Sequence, residues 1–156
     1  MDPISRFFRT LWMRITERRR GPLGPHDVGR VPARVWLTDI DELGHVNNGV
    51  YLSQLDHPRF DLLRRAGLWD KIISQGIYPV VGMQTITYRK SLRFGQRYTI
   101  ESRVVGYDER AVLIEQRYVV KGEIYADAYV LGRFLRRSGG TVSIAELSEL
   151  TGIDAA

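Results

Sequence analysis

The chain has 156 residues, of which 44% are hydrophobic and 26% are charged, and it contains no cysteine. This length and composition fit one soluble globular domain and do not fit a disordered or fibrous chain. Without cysteine the chain has no disulfide, no thiolate nucleophile and no cysteine-ligated zinc or iron–sulfur centre.

Positive charge is concentrated at the start of the chain. Residues 1–20 hold six arginines and two acidic residues, and so carry four of the five net positive charges. The rest of the chain is almost neutral, which argues against nucleic acid as its partner. No apolar run approaches the roughly 18 residues of a membrane span. Arginines also interrupt the first apolar segment, unlike a secretory signal, and we therefore expect a cytoplasmic protein.

Residues 1–20 are predicted to form a basic amphipathic helix, because large apolar side chains recur in them at helical spacing. These side chains are Ile4, Phe7, Phe8, Leu11, Trp12 and Ile15. Two interpretations stay open: the helix contacts an anionic membrane surface, or it packs on the chain's own domain or frays. Residues 21–30, rich in proline and glycine, are predicted to be a linker, and residues 31–156 the folded domain.

The first part of the domain has the patterns of a strand and a long helix. Alternation of apolar and polar side chains predicts a short strand over residues 31–38. Apolar spacing then predicts a helix over residues 48–66, ended by Gly67. Pro58 lacks a backbone N–H, so we expect this helix to bend or restart near His57.

Period-two alternation returns after Tyr78 and predicts four strands. They cover residues 80–93, 97–107, 111–121 and 123–137. The links between them are short, which favours a meander of antiparallel neighbours. Each strand has one apolar face, and the long helix is the natural cover for it, so the fold class is α+β. A Ser143–Glu146 capping box predicts a last helix within residues 140–152.

One motif joins the first strand to the long helix. Residues 41–52 read D-x-x-G-H-V-N-N-x-x-Y-L. With a strand before it and a long helix and four strands after it, this motif resembles the hotdog-fold thioesterases of the 4-hydroxybenzoyl-CoA thioesterase type. The helix adds a D-x-x-R-x-D-x-x-x-R pattern, which is similar to the THEM6-like branch. The pattern consists of Asp56, Arg59, Asp61 and Arg65.

The resemblance implies a five-stranded antiparallel sheet wrapped around a central helix. It also implies that two subunits pair edge to edge as a homodimer, alone or within a dimer of dimers, with active sites between them. The expected activity is hydrolysis of an acyl-CoA or acyl-carrier thioester to a free acid and a thiol. No metal or other cofactor is expected.

The motif supplies the candidate catalytic residues. Asp41 matches the family's catalytic aspartate and could attack the thioester or activate water, although aspartate at such a position is commonly a turn residue. The first N–H groups of the helix, those of Asn48 and Gly49, could stabilise a developing oxyanion. His45 could orient Asp41 or contact the substrate, but a packed structural histidine is the alternative.

Five further residues are candidates for substrate binding. Asn47 could contact the substrate or cap the helix, and Tyr51 could line an acyl tunnel or fill the core. Asp56 could reach the site, although an ion pair with Arg59 at spacing i, i+3 also explains it. Arg110 and Arg133 align with positions that hold nucleotide phosphates in the benzoyl-type enzymes.

Two other functions remain open. A non-catalytic protein that binds acyl thioesters or lipids would use the same tunnel without turnover. A hotdog dehydratase of 3-hydroxyacyl thioesters would need a histidine paired with an acidic residue, and His45 with Asp41 makes this conceivable. Fold alone does not separate these functions.

Overall fold

The computed structural model describes residues 3–152 of the chain. Its helices are α1 (Pro3–Glu17), α2 (Asn48–Gln54), α3 (Asp56–Arg65), α4 (Trp69–Ser74) and α5 (Ile144–Thr151). Its strands are β1 (Gly29–Arg34), β2 (Ile77–Tyr88), β3 (Arg97–Tyr107), β4 (Ala111–Val120), β5 (Glu123–Arg136) and β6 (Thr141–Val142). A short 3-10 helix lies at Leu37–Asp39. No helix within residues 3–152 is long and apolar enough to cross a bilayer.

The strands form one antiparallel sheet in the order β1-β3-β4-β5-β2, and the two residues of β6 add to β5. Strands β3, β4 and β5 are the predicted meander. The prediction was wrong for β2, which pairs with β5 rather than with β3. The link over residues 89–96 instead leads from β2, at one edge of the sheet, to β3 near the opposite edge. Within this link, the Leu92 carbonyl accepts a bond from the Val46 N–H. Alternation identifies a strand but does not determine its neighbour.

The two edges of the sheet differ in accessibility to a further strand. On β1, Pro32 lacks a backbone N–H, and Arg30 and Arg34 are exposed charges, which are features that block strand addition. On β2, residues 81–85 are all exposed and include the apolar Val81 and Met83. The β2 edge is therefore open and partly apolar.

The long predicted helix is two helices that meet at Leu55. The restart lies just before His57, close to the predicted position, and Pro58 falls in the first turn of α3, where its missing N–H has no intrahelical partner to lose. The Leu55 carbonyl accepts bonds from the Arg59 N–H at 3.4 Å and from the Gln116 side chain on β4 at 3.1 Å. Gly67 ends the helical segment with a φ of 72°.

The predicted strand over residues 31–38 is shorter and ends at Arg34. The chain turns there because the Trp36 N–H donates to the Asp39 carboxylate at 2.8 Å and starts the 3-10 helix. Helix α4 was not predicted. At the other end of the chain, Ser143 caps α5 by accepting from the Glu146 N–H at 3.1 Å, while the Glu146 carboxylate pairs with Arg136.

The main core lies between α2, the start of α3 and one face of the sheet. Small residues on β5 let the helices approach the sheet closely, and large side chains fill the space around them. The fully buried members are Leu55, Leu92, Ile100, Tyr118, Ala126 and Ala128. A second core joins α4 and α5 to the sheet through Ile72, Ile77, Phe134, Val142 and Leu147.

Helix α1 and the segment after it pack on α3 through charged groups. Asp61 is buried and accepts bonds from Arg20 at 2.5 Å and from Arg65 at 3.1 Å. Glu17 accepts from Arg64 at 2.9 Å. The Arg65 guanidinium also donates to the carbonyls of Arg20 and Gly21. Asp61 and Arg65 of the charged pattern thus attach the N-terminal segment to the domain.

We predict that Asp61→Asn destabilises the protein. The amide keeps the shape of the carboxylate but removes the charge that two guanidinium groups share in a buried position. Breaking such a pair costs about 3 kcal/mol, which corresponds to roughly 6–12 °C in Tm for a chain of this size. Thermal unfolding followed by circular dichroism measures the shift.

The matched control is Glu123→Gln, which removes an ion pair with Lys90 in which both side chains are 53% exposed. Solvent screens that pair, so its loss should leave Tm almost unchanged. Equal decreases in Tm for Asp61→Asn and Glu123→Gln would show that burial does not increase the contribution of Asp61 to stability.

Candidate active site

The motif predicted to be catalytic forms a tight reversal between the 3-10 helix and α2. A β-bridge pairs Ile40 with Val46. Inside it, the Asp41 N–H donates to the His45 carbonyl at 2.8 Å, and the Gly44 N–H donates to the Asp41 carbonyl at 3.0 Å. Gly44 has a φ of 77°, which a residue with a side chain rarely adopts. Asp41 lies partly buried on the first arm of this reversal.

The Asp41 carboxylate is oriented by the backbone of its own loop. Its Oδ1 atom accepts bonds from the N–H groups of Leu43 at 2.9 Å and His45 at 3.4 Å. Asp41 therefore has the turn role that its position suggests. Its Oδ2 atom has no hydrogen-bond partner within residues 3–152, so one carboxylate oxygen remains available to a substrate or a water molecule.

The start of α2 offers one unpaired N–H rather than the two expected. Asn47 is the N-cap, and its side-chain oxygen accepts from the Gly49 N–H at 2.9 Å. The Asn48 N–H, at the first position of the helix, has no acceptor in the described part of the chain. The Asn48 N–H is thus the better candidate for an oxyanion donor, because the Gly49 N–H would first have to leave its cap. Asn47 has the capping role that was its alternative.

His45 does not orient Asp41 through its ring. The side chain is half-buried, and the imidazole makes no hydrogen bond with any residue that the structure describes. Only the His45 backbone N–H and carbonyl contact Asp41. A histidine–carboxylate pair, which a dehydratase would need, is therefore not formed here.

Tyr51 lies in the core, and Tyr88 takes the position beside the site. The Tyr51 hydroxyl accepts a bond from the Leu92 N–H at 3.0 Å, and burial raises its pKa. The Tyr88 ring packs edge-on against Tyr51 at 5.2 Å between centroids. Its hydroxyl donates to the Asn48 carbonyl at 3.0 Å. Tyr88, near the end of the open edge strand, was not a candidate from the sequence because nothing local relates it to the motif.

A buried polar cluster lies behind the loop that carries Asp41. The Asp39 side chain is completely buried and forms an ion pair with Arg9 of α1. The Asp39 carboxylate accepts from the Trp36 N–H and the Asp39 carbonyl accepts from the Asn47 N–H, both at 2.8 Å, so this residue contacts both ends of the loop. Tyr98 accepts from Arg9 and donates to Gln54 at 2.7 Å. Burial raises the pKa of Tyr98 to about 12, so it remains a donor at neutral pH.

Asp56 and Arg59 form the predicted ion pair on α3. Arg59 is also buried, and its guanidinium donates to the Gln116 side chain at 2.8 Å. Desolvation lowers the pKa of Arg59, and the nearby Asp56 carboxylate partly opposes this. Gln116 in turn donates to the Leu55 carbonyl and to Ser102. The pair therefore belongs mainly to the contact between helix and sheet.

An apolar cavity of about 360 Å³ lies between α3, the sheet and α5. Its volume is in the usual range for small-molecule sites. Asp56 and Arg59 contribute part of its polar lining. Most of the lining is hydrophobic and includes Phe60, Leu63, Val80, Val112, Ile114 and Leu147.

Arg110 and Arg133 come together, but far from Asp41 in the same chain. Arg133 pairs across the sheet with Ala111 and with Val80. The N–H groups of Arg110 and Ala111 hold the pKa of Asp108 below its ordinary value, and the two guanidinium groups add to this effect. Tyr88 marks the opposite end of β2, and the strand from Val80 to Tyr88 is about 26 Å long at about 3.3 Å per residue.

Comparison with known proteins identifies the fold and the family. The profile of the Thioesterase-like superfamily matches residues 35–150. The zebrafish protein THEM6 is 35% identical over 130 residues, which are 81% of this chain and 63% of the zebrafish protein. This chain therefore spans less than two thirds of the length of that relative.

Solved structures give the same fold. The probable thioesterase YbaW from Escherichia coli superimposes with a TM-score of 0.73 at 23% identity, covering 78% of this chain and 94% of YbaW. The DHNA-CoA thioesterase from Staphylococcus aureus has a TM-score of 0.70 at 15% identity, covering 80% and 89%. The predicted hotdog fold is confirmed.

We predict that Arg9→Met loosens the loop that carries Asp41. Methionine keeps much of the side-chain volume but leaves the buried Asp39 carboxylate without its counter-charge, which is strongly destabilising. Backbone amide exchange should accelerate at Trp36, which donates to the carboxylate, and at Asn47, which donates to the Asp39 carbonyl. Hydrogen exchange followed by NMR measures both.

Arg14→Met is the control, because Arg14 lies on the same helix but is exposed. It should leave the exchange rates of both amides unchanged. If the Asn47 amide exchanges at the same rate in Arg9→Met and in the parent, the ion pair between Arg9 and Asp39 does not stabilise the loop.

Proposed function

The chain belongs to the thioesterase-like superfamily, and on this basis we propose that it hydrolyses acyl thioesters to a carboxylic acid and a thiol. The observation that carries the proposal is the Asp41 carboxylate, oriented through Oδ1 and available through Oδ2, in the loop that leads into α2. Hydrolysis requires a group that delivers oxygen to the carbonyl carbon and a group that stabilises the oxyanion. The loop and the start of the helix offer both.

Asp41 can deliver oxygen in two ways. As a general base it accepts a proton from water while the water oxygen attacks the carbonyl carbon. As a nucleophile its Oδ2 attacks, the thiolate leaves, and water then hydrolyses the resulting anhydride. In both routes the C–S bond breaks, the thiolate takes up a proton, and Asp41 ends as a carboxylate.

The Asn48 N–H is the proposed oxyanion donor. It lies at the positive end of the α2 dipole and has no acceptor in the described chain, so a substrate oxygen would meet an unsatisfied donor. Tyr88 holds the carbonyl of the same residue. This contact restrains the peptide unit that follows Asn48 and so helps keep the first turn in place.

The apolar cavity is the proposed acyl site. A lining that is mainly aliphatic and aromatic favours a hydrocarbon or aryl group, whose burial is favourable by roughly 25 cal/mol per Å² of apolar area. The cavity lies beside Val80, at the end of β2 away from Tyr88. Within one chain it therefore opens at some distance from Asp41.

Pairing of two subunits along β2 would bring these parts together. The exposed residues 81–85 give an edge that an antiparallel copy can extend, and a two-fold axis near Met83 would place the start of one β2 beside the end of the other. The cavity of the partner subunit and the partner subunit's Arg133 would then approach Asp41 of the first subunit. The paired arginines suit the phosphates of coenzyme A.

We predict that Asp41→Asn abolishes turnover without abolishing binding. The amide keeps the hydrogen bonds from the loop backbone but neither accepts a proton from water nor attacks effectively. Loss of such a group typically costs between 10² and 10⁴ in rate. Thiol release from a panel of short, long and aromatic acyl-CoAs measures kcat, and calorimetry measures binding.

Glu42→Gln is the matched control, because it removes an exposed carboxylate next to Asp41. It should retain the parental kcat. If the parent binds acyl-CoAs but releases no thiol from any of them, the protein is an acyl-thioester binding protein. If Asp41→Asn retains full turnover, the assignment of Asp41 is wrong.

We also predict that each active site uses two subunits. Asp41→Asn and the double variant Arg110→Gln/Arg133→Gln should each be impaired, the first in kcat and the second in KM for acyl-CoA. Co-expressed with different tags and purified as a hybrid dimer, they should regain one intact site, with about half of the parental activity.

Size-exclusion chromatography with light scattering verifies that the hybrid is a dimer. A hybrid whose activity is only the mean of its two impaired parents would place Asp41 and the arginines of one chain in the same site, and would contradict a site shared between subunits. Parental subunits that are monomeric yet fully active would exclude the shared site altogether.

A further inference from the structure

Helix α1 contacts the domain through its polar side. Arg9 pairs with the buried Asp39, Thr10 lies 3.1 Å from the His57 ring nitrogen, and Glu17 accepts from Arg64. Met13 is the one large apolar side chain of α1 that is buried. At 3.6 residues per turn these positions share one side of the helix. An amphipathic helix on a globular body normally buries its apolar side instead.

The apolar side of α1 faces away from the domain. Six large hydrophobic side chains on it are between 45% and 68% exposed. They are Ile4, Phe7, Phe8, Leu11, Trp12 and Ile15. We call this surface the α1 apolar face. Contiguous apolar surfaces of this kind mark interaction sites rather than ordinary protein surface.

Two further exposed apolar side chains lie next to α1, on the loop after β1. The Arg9 guanidinium carbon lies 5.4 Å from the centre of the Trp36 ring, so Trp36 is a neighbour of α1. Trp36 and Leu37 are 42% and 72% exposed. The same loop leads through Asp39 to the candidate active site.

Positive charge lies beside the apolar face. Arg14, Arg18 and Arg19 are exposed, and none of them has an ion-pair partner within residues 3–152. The acidic residue of α1, Glu17, is turned inward and paired with Arg64. The outward surface thus combines aromatic and aliphatic side chains with cationic groups that are not neutralised.

We propose that the α1 apolar face binds the surface of an anionic lipid bilayer. Aromatic and aliphatic side chains enter the boundary between headgroups and acyl chains, and flanking arginines are attracted by lipid phosphates. A second copy of the chain fits less well. Pairing of two identical faces would bring together two surfaces that both carry positive charge.

Membrane contact bears on the source of the substrate. Because Asp39 joins α1 to the loop that carries Asp41, a bilayer bound at α1 would lie close to the candidate site. This step rests on the proposed function, and it favours acyl thioesters whose hydrocarbon chain partitions into the bilayer. The lipid contact itself does not depend on any hydrolysis.

Sedimentation with vesicles tests the contact directly, using the full chain. Vesicles of phosphatidylcholine containing phosphatidylglycerol should bind the parent protein, and vesicles of phosphatidylcholine alone should bind it more weakly. Phe7→Ser/Trp12→Ser should reduce binding at least tenfold because two aromatic anchors are lost. Arg14→Gln/Arg18→Gln/Arg19→Gln should reduce binding to the anionic vesicles by about 100-fold at low salt, at about fivefold per arginine.

The matched control is Phe94→Ser/Leu150→Ser, which removes two exposed apolar side chains away from α1 and should bind like the parent. Circular dichroism verifies that every variant is folded. Equal binding by Phe7→Ser/Trp12→Ser and the parent would overturn the proposal. Absence of vesicle binding by the parent would also overturn it. If, in addition, that double variant lost a parental self-association seen by sedimentation equilibrium, the occupant would be a second copy of the chain.

Discussion

Two buried carboxylates, those of Asp39 and Asp61, determine how the N-terminal segment lies on the domain. Each is neutralised by an arginine from residues 1–20, Arg9 in one case and Arg20 in the other. A buried carboxylate without a counter-charge is strongly unfavourable, so Asp39 requires Arg9 as its partner, whereas Asp61 also has Arg65 of the domain. The requirement also fixes the rotation of α1 about its axis. Because Arg9 is directed inward, the apolar side of α1 faces outward.

The same pairing reaches the candidate active site. Asp39 accepts from the Trp36 N–H with its side chain and from the Asn47 N–H with its carbonyl. The loop between these contacts carries Asp41, and Asn47 begins α2. Catalytic groups must be held within fractions of an ångström to be effective. Helix α1, which the sequence places outside the folded domain, therefore contributes to the geometry of the candidate site.

Local patterns in the sequence were sufficient for most elements and insufficient for their arrangement. Strands β3 to β5 follow from alternation and short turns, and their bounds agree with the predictions to within one residue. The strand with which β2 pairs depends on which edge of the sheet remains free once the other strands are in place. No local pattern in the sequence specifies that edge. Helix α4 has only six residues, too few for a recognisable period.

The candidate site shows the same difference between local features, which the sequence predicts, and long-range contacts, which it does not. The cap at Asn47 and the turn at Asp41 are properties of neighbouring residues, so both could be foreseen as alternatives. The contacts of Arg9 with Asp39 and of Tyr88 with Asn48 join residues 30 or more positions apart. The occupied N–H of Gly49 follows from the cap itself and was overlooked. Hydrogen bonds within one turn can be predicted from the sequence, whereas contacts between separate elements cannot.

The unequal edges of the sheet limit how far the protein can assemble. Strand addition along β2 would consume the open edge of both participants, so the joined sheet would end at β1 on either side. There Pro32 offers no N–H, and Arg30 and Arg34 would repel an identical strand. Growth by edge pairing would therefore terminate at two chains. This arrangement protects a sheet with an exposed apolar edge from open-ended polymerisation into fibres.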